Sequence, residues 1–285
     1  MSGTLPPPPG VPVARESLGR PRRGSGRRSS PWAWFWLALG IIYFFLPLLA
    51  TLEFSLRAVR GRYTLVAFQH ILSDPDFYRN FGFSLLWAVI TIVISFLLVV
   101  PTAYWAHLRL PRLRPVIEFI TLMPFVVPAV VLVFGYIRIY GSRPLVLTGT
   151  PILLVAGYVV LSLPYMYRSV DAGLRAIDVR TLTEAAQSLG APWPVILTRV
   201  IFPNLRVALL SGTFLTLAIV VGEFTFASLL VWPAFAPYME ALGNKQAYEA
   251  AALALISFGL TWGSIGIIQW VGRGAPGQTQ VTGAH

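Results

Sequence analysis

Residues 184–203 read EAAQSLGAPWPVILTRVIFP, a polar and proline-broken stretch set between two long apolar runs. Just ahead of it, Thr181-Leu182-Thr183-Glu184 has the spacing of a capping box, in which the Thr hydroxyl accepts from the Glu amide and the Glu carboxylate reaches back. A helix is expected to start there. Leu182, Ala185, Ala186 and Leu189 recur at i, i+3, i+4 and i+7 and predict one apolar stripe, with Glu184, Gln187 and Ser188 turned the other way. Gly190 is placed as a left-handed stop, and Pro192 and Pro194 forbid simple continuation while suiting the first turn of a second helix. That helix is expected to run to Phe202, where Pro203 and Asn204 close it. The pattern describes two short helices meeting at a glycine corner.

The surroundings of this corner are membrane-grade. Of 285 residues 56% are hydrophobic and only 12% charged, which places the chain among membrane proteins. Several apolar runs approach the roughly 20 residues a helix needs to cross the hydrocarbon layer. Six spans are expected, near 32–52, 82–105, 117–137, 151–168, 207–230 and 249–271. The fourth is the least regular, because Pro164 interrupts it and Arg168 follows at once; Pro101, Pro124 and Pro128 mark further kinks.

Charge gives the orientation, since Lys and Arg in short loops favour the cytoplasmic side. With the N-terminus inside, 15 of the 22 basic residues fall on the cytoplasmic side and 7 outside, so both termini are expected in the cytoplasm. The net charge of +11 is accounted for in this way, and nucleic-acid binding is not needed to explain it. The corner then lies on the cytoplasmic side, in the longest connection between spans.

Residues 1–31 are rich in Pro, Gly, Ser and Arg without apolar periodicity and are expected to be a disordered cytoplasmic tail; residues 273–285 are expected to be a flexible one. The apolar run that follows residue 31 is longer than the core of a signal peptide, so an uncleaved first helix is expected. Cysteine is absent from the chain, which removes disulfides and thiolate chemistry. Between the first two spans, Leu65, Phe68, Ile71 and Leu72 have helical spacing and Ser73-Asp74-Pro75 is a turn signal, predicting a short helix along the outer surface.

Glu184-Ala185-Ala186, Gly190 six residues after the Glu, and the ending Val200-Ile201-Phe202-Pro203 resemble the EAA loop of binding-protein-dependent ABC importer permeases. The usual pattern is EAA, three residues, Gly, nine residues, Ile, one residue, Leu-Pro. Val200 and Phe202 are mild departures from its ending. The resemblance extends more weakly over 80–272. It implies an all-α, six-helix permease domain over 32–272 with the type I importer (MetI-like) fold, in the inner membrane of a prokaryote. It implies that the loop at 178–204, through Glu184, Ala185, Ala186, Gly190 and Pro203, docks on a separate homodimeric ATPase. A second permease subunit, identical or similar, and an extracytoplasmic solute-binding protein are the other implied partners. No cofactor or metal is expected. Lys245, the one lysine, follows Asn244, so a Gly-Lys-Ser/Thr phosphate loop is absent and ATP hydrolysis falls to another chain.

Glu223, in VVGEFTFASLL, is a charge within the fifth span and costs on the order of 2.5–3.5 kcal/mol at mid-membrane unless it faces the bundle or a wet path. A translocation-path role and an interhelical bond both explain it. The stretches around 163–191 and 222–230 resemble the spermidine/putrescine permease group, which is also similar to importers of iron, aminoethylphosphonate and thiamine; the cargo stays open among these. A proton-coupled transporter using Glu223, Glu118 and His107 is the rival class. A membrane enzyme has less to stand on, because His70, His107 and His285 are scattered.

Overall fold

The computed structural model describes residues 31–59, 61–142 and 146–273. The tails predicted at 1–31 and 273–285 lie, except for their inner ends, outside the described residues. The chain divides at Pro47 into two units, Met1–Leu46 and Pro47–His285. The described part of the first is the beginning of helix α1 (Pro31–Leu56), whose Trp32, Phe35 and Trp36 cluster with ring centroids 5.6–5.8 Å apart.

In the second unit, α2 (Val66–Ser73) buries Ala67 and Ile71 but leaves Leu65 and Leu72 exposed, so half of its predicted apolar face is packed. Asp74 ends it and caps the next helix, accepting from the Asp76 amide at 2.9 Å, and α3 (Pro75–Leu108) then runs 34 residues straight through Pro101. A 3-10 turn, Pro111–Leu113, leads into α4 (Arg114–Val126) and α5 (Ala129–Tyr140).

The third predicted span is therefore two helices, bent by 97°. The kink expected there is a break, because a residue before proline is pushed out of the helical region: Val127 is extended at ψ 116 and Pro128 at ψ 140. Pro164 has the opposite outcome. α6 (Pro151–Ala176) passes through it unbroken and exceeds the predicted 151–168.

α7 (Val179–Ser188) precedes the corner. After it, α8 (Trp193–Val195), a π-helical stretch Ile196–Ile201 and α9 (Phe202–Asn204) follow without interruption. α10 (Arg206–Gly222) leaves at 80°. The fifth predicted span, 207–230, is interrupted at Glu223 and Phe224 before α11 (Thr225–Leu229). α12 (Phe235–Lys245) and α13 (Ala247–Arg273) complete the order.

Among the described residues three helices, α1, α3 and α6, are each long and apolar enough to cross a membrane, and up to five crossings result if each bent pair is one. α13, at 27 residues, also has the length for a crossing.

Relative directions follow from the cores. One buried cluster joins Val99–Tyr104 of α3 to Met166–Leu174 of α6 and to Leu205 and Leu209; another joins Ala88 of α3 to Leu153–Tyr158 of α6 and to Val220. α3 and α6 thus run parallel and α10 runs against them, so the chain between α3 and α6 has to return through α4 and α5. The helices approach closely through small residues: a Cβ on Gly173 would stand 2.6 Å from that of Ala208, and one on Gly212 2.7 Å from the Met166 sulfur. Buried Ser95 and Ser162 share a hydrogen bond of 3.1 Å between α3 and α6.

Candidate functional site

The loop predicted at 178–204 forms its two helical arms, with a different start. Asp178, not Thr181, caps α7: its Oδ1 accepts from the Thr181 amide at 3.1 Å and its Oδ2 from the Thr181 hydroxyl at 2.7 Å. These bonds, the hydroxyl's first, hold the exposed Asp178 carboxyl below its ordinary range. The capping box does not form, because a carboxylate three residues ahead is the stronger acceptor and α6 delivers the chain to it through extended Ile177. Glu184 is left exposed and accepts from Arg180 Nε at 2.9 Å.

The packed face also differs from the predicted stripe. Val179, Thr183 and Ala186 are buried, while Ala185 is exposed and Leu189 is 89% exposed. Thr183 tolerates burial because its hydroxyl is satisfied twice, donating to the Val179 carbonyl at 2.7 Å and pairing with the Tyr104 hydroxyl at 2.9 Å.

Gly190 makes the corner as expected, at φ +77, with nothing within 4 Å of where a Cβ would stand. Pro192 and Pro194 start the second arm. That arm closes at Pro203 and Asn204 as expected, with Pro203 in its first α-helical turn after the π stretch. Bonding at i→i+5 in that stretch turns Ile196 and Ile201 to one side, and both are buried. Trp193 lies 4.9 Å from the Trp105 ring and 6.0 Å from Tyr104, and the Arg109 guanidinium sits over both indoles, at 4.8 Å from Trp105 and 5.2 Å from Trp193.

Asp171, which the sequence reading passed over, joins three helices beside the loop. Its Oδ1 meets His107 Nε2 of α3 at 2.8 Å and Arg114 of α4 at 2.9 Å, and its Oδ2 meets Arg175 Nε at 2.8 Å. An acid four residues before an arginine inside an apolar helix was the available signal.

Glu223 stands apart from this cluster. It is the C-terminal cap of α10, and its two carboxylate oxygens accept from the amides of Thr225 and Phe226, each at 2.8 Å, at the start of α11. His107 and Glu223 have different partners, so the relay suggested for a proton-coupled transporter is not assembled. Among the described residues no group of three or more His, Asp or Glu side chains is placed to hold a metal ion.

Residues 100–275, more than half of the chain, match the family described as binding-protein-dependent transport system inner membrane component. The chain belongs to this family. This inner membrane component is 28% identical over 174 residues to the spermidine/putrescine transport system permease protein PotB of Haemophilus influenzae, covering 56% of this chain and 60% of that one. It is 25% identical over 213 residues to PotB of Escherichia coli, covering 67% and 76%. The ferric transport system permease protein FbpB of Actinobacillus pleuropneumoniae is 34% identical over 99 residues, 35% of this chain but only 14% of that protein. The chain is thus a multi-pass membrane protein of this transport-system family, with helices as its regular elements among the described residues, and Tyr104, the loop, Asp171 and Glu223 all fall within the matched residues.

Proposed function

We propose that the chain is a membrane-spanning subunit of an ATP-driven importer in a prokaryotic inner membrane, forming one side of the solute path and coupled to a separate ATPase through α7, Gly190 and α8. The observation that carries this reading is the division of α7. One face is fastened to the bundle by Val179, Thr183 and Ala186, while Ala185 and Leu189, a whole leucine beside a bare corner, are presented outward. That outward face, on a helix end whose other face is fixed, supports a partner's cleft as its cover. The family supports an ATPase and a binding protein as partners; a second permease, the same or different, supplies the other side of the path.

Six crossings with both termini in the cytoplasm fit the shared direction of α3 and α6, the opposite direction of α10 and the distribution of Arg. The crossing we assign after the loop is α10 with α11, since α8–α9 carries Thr198, Arg199 and Asn204. Glu223 shapes the path by holding α11 where α10 ends. The likeness to PotB supports a polyamine as cargo, and the likeness to FbpB supports iron as the second reading.

Gly190→Val tests the coupling role. A β-branched residue at φ +77 is strained by about 1 kcal/mol or more, while open space around it leaves the rest of the fold alone. Membrane insertion should be normal and co-purification of the ATPase weakened; wild-type recovery of the ATPase would refute the assigned docking corner.

A further inference from the structure

The loop is joined by sequence to α6 and α10, yet neither arm continues the axis of its neighbour. α6 leaves its helix through Ile177, extended at φ −120 and ψ 150, so helical hydrogen bonds do not carry a twist of α7 into α6. At the other joint the chain turns by 80° into α10. The arms share a buried apolar cluster with α6 and α10, and the polar and aromatic side-chain ties to both arms come from a helix far away in sequence. Tyr104 holds Thr183 on α7, and Trp105 with Arg109 holds Trp193 on α8. Attachment at one point permits rotation; attachment of both arms of a corner to one helix turn does not. His107, in the same turn, is bound to Asp171.

Building on the coupling role proposed above, we propose that the last turn of α3, through Tyr104, Trp105 and Arg109, is the positioning element that receives movement of the coupling loop, so that α3 and the α7–α8 corner travel as one body. Packed contacts of this kind shift as units rather than stretch.

The absence of cysteine permits a direct test in the full transporter. Spin labels at Leu97→Cys and Gln187→Cys, both exposed, report the distance between α3 and α7 before and after trapping with ATP and vanadate. In the otherwise unchanged chain the distance should not shift on trapping. In Tyr104→Phe with Thr183→Val, and separately in Arg109→Gln, it should shift or split. ATPase co-purification and thermal midpoint should stay near the wild-type values, as they would not if these residues served only to keep the fold. A shift in the otherwise unchanged chain overturns the proposal, because α3 and the corner then move separately. An unshifted distance in both variants overturns it too, because the named contacts are then not the fastening. Failure of the ATPase to bind the wild-type chain at all defeats the coupling reading itself, a separate and recognisable result.

Discussion

At the end that carries the 178–204 loop, Tyr104 and His107 near the end of α3 and Arg109 just past it reach α7, α6 and α8; at the opposite end Glu223 reaches only two and three residues along its own chain. Both ends interrupt a helix. The first is stitched across 64 to 84 residues of sequence, and the second is a local cap. The opposite end has long ties of its own, Phe235 N–H to Ser84 at 2.8 Å and Tyr238 to Asp74 at 2.6 Å, but they fasten α12 and not the break. Buried polar atoms without a partner among the described residues occur at both ends, the Tyr167 hydroxyl near the loop and the indole N–H groups of Trp87 and Trp232 at the other, and only the latter end adds a β-branched residue at positive φ, Val231 at φ +58. The difference between the ends is in how the break is held: by polar and aromatic ties between helices at the loop end, and at the other by a local cap with Phe226 packed beside Gly157 and Tyr136.

The largest test of this contrast is Asp171→Asn. The substitution removes the charge that Arg114 and Arg175 face, and we expect a loss of about 2–4 kcal/mol, less than for a wholly buried pair because Arg175 is half exposed. Thermal unfolding of the detergent-solubilised subunit reads it, and an unchanged midpoint would remove Asp171 from the stitching.

The corresponding test at the opposite end is Gly157→Ala. Its new methyl would overlap the Phe226 ring, and overpacking of this kind costs about 1–3 kcal/mol. If Phe226 packed beside Gly157 holds this end, part of that loss should be recovered when Phe226→Leu is added, whereas independent sites would add the two losses.

The difference between the ends also decides what the sequence could disclose. Long apolar runs and their proline punctuation gave the helices, because hydrophobicity is a property of a segment taken alone. Gly190 was legible for a similar reason: a corner between two helix patterns asks for a left-handed residue. The ties of the loop end were not legible. Tyr104 and Thr183 are ordinary residues until packing sets them 2.9 Å apart, and Leu182–Leu189 gave the wrong packed stripe because the neighbour, not the helix, chose Thr183. Equal-looking prolines likewise parted ways: Pro164 is buried within α6 and stays helical, while Pro128 follows extended Val127 and breaks the chain.

Glu223 gives a smaller, sharper comparison. Gln keeps an acceptor for one of the two amides and Ala keeps none, so Glu223→Ala should destabilise by about 1 kcal/mol, within the usual range for a lost cap, and Glu223→Gln by less. Uptake of the proposed polyamine cargo, read with radiolabelled spermidine, should follow the same order. Loss of uptake in Glu223→Gln with ATPase activity intact would instead make the charge itself part of the path.

The smallest effect lies at Asp178. Its carboxyl is held below the ordinary value of 3.8 by the Thr181 hydroxyl and amide, so the folded state favours the ionised form. Stability from this cap is therefore fully present above that ordinary value and is lost as pH falls from it through the lower folded value. Because the group is fully exposed, the loss should be confined to fraying of the first turn of α7 and not reach the bundle. Amide exchange at Thr181 should accelerate on acidification beyond its intrinsic dependence, while buried Val170 and Leu174 stay protected. Asp178→Asn, which still accepts but does not titrate, should abolish that acceleration. Its persistence in the Asn variant would place the acid-sensitive group elsewhere and leave the start of the coupling helix without the cap assigned to it.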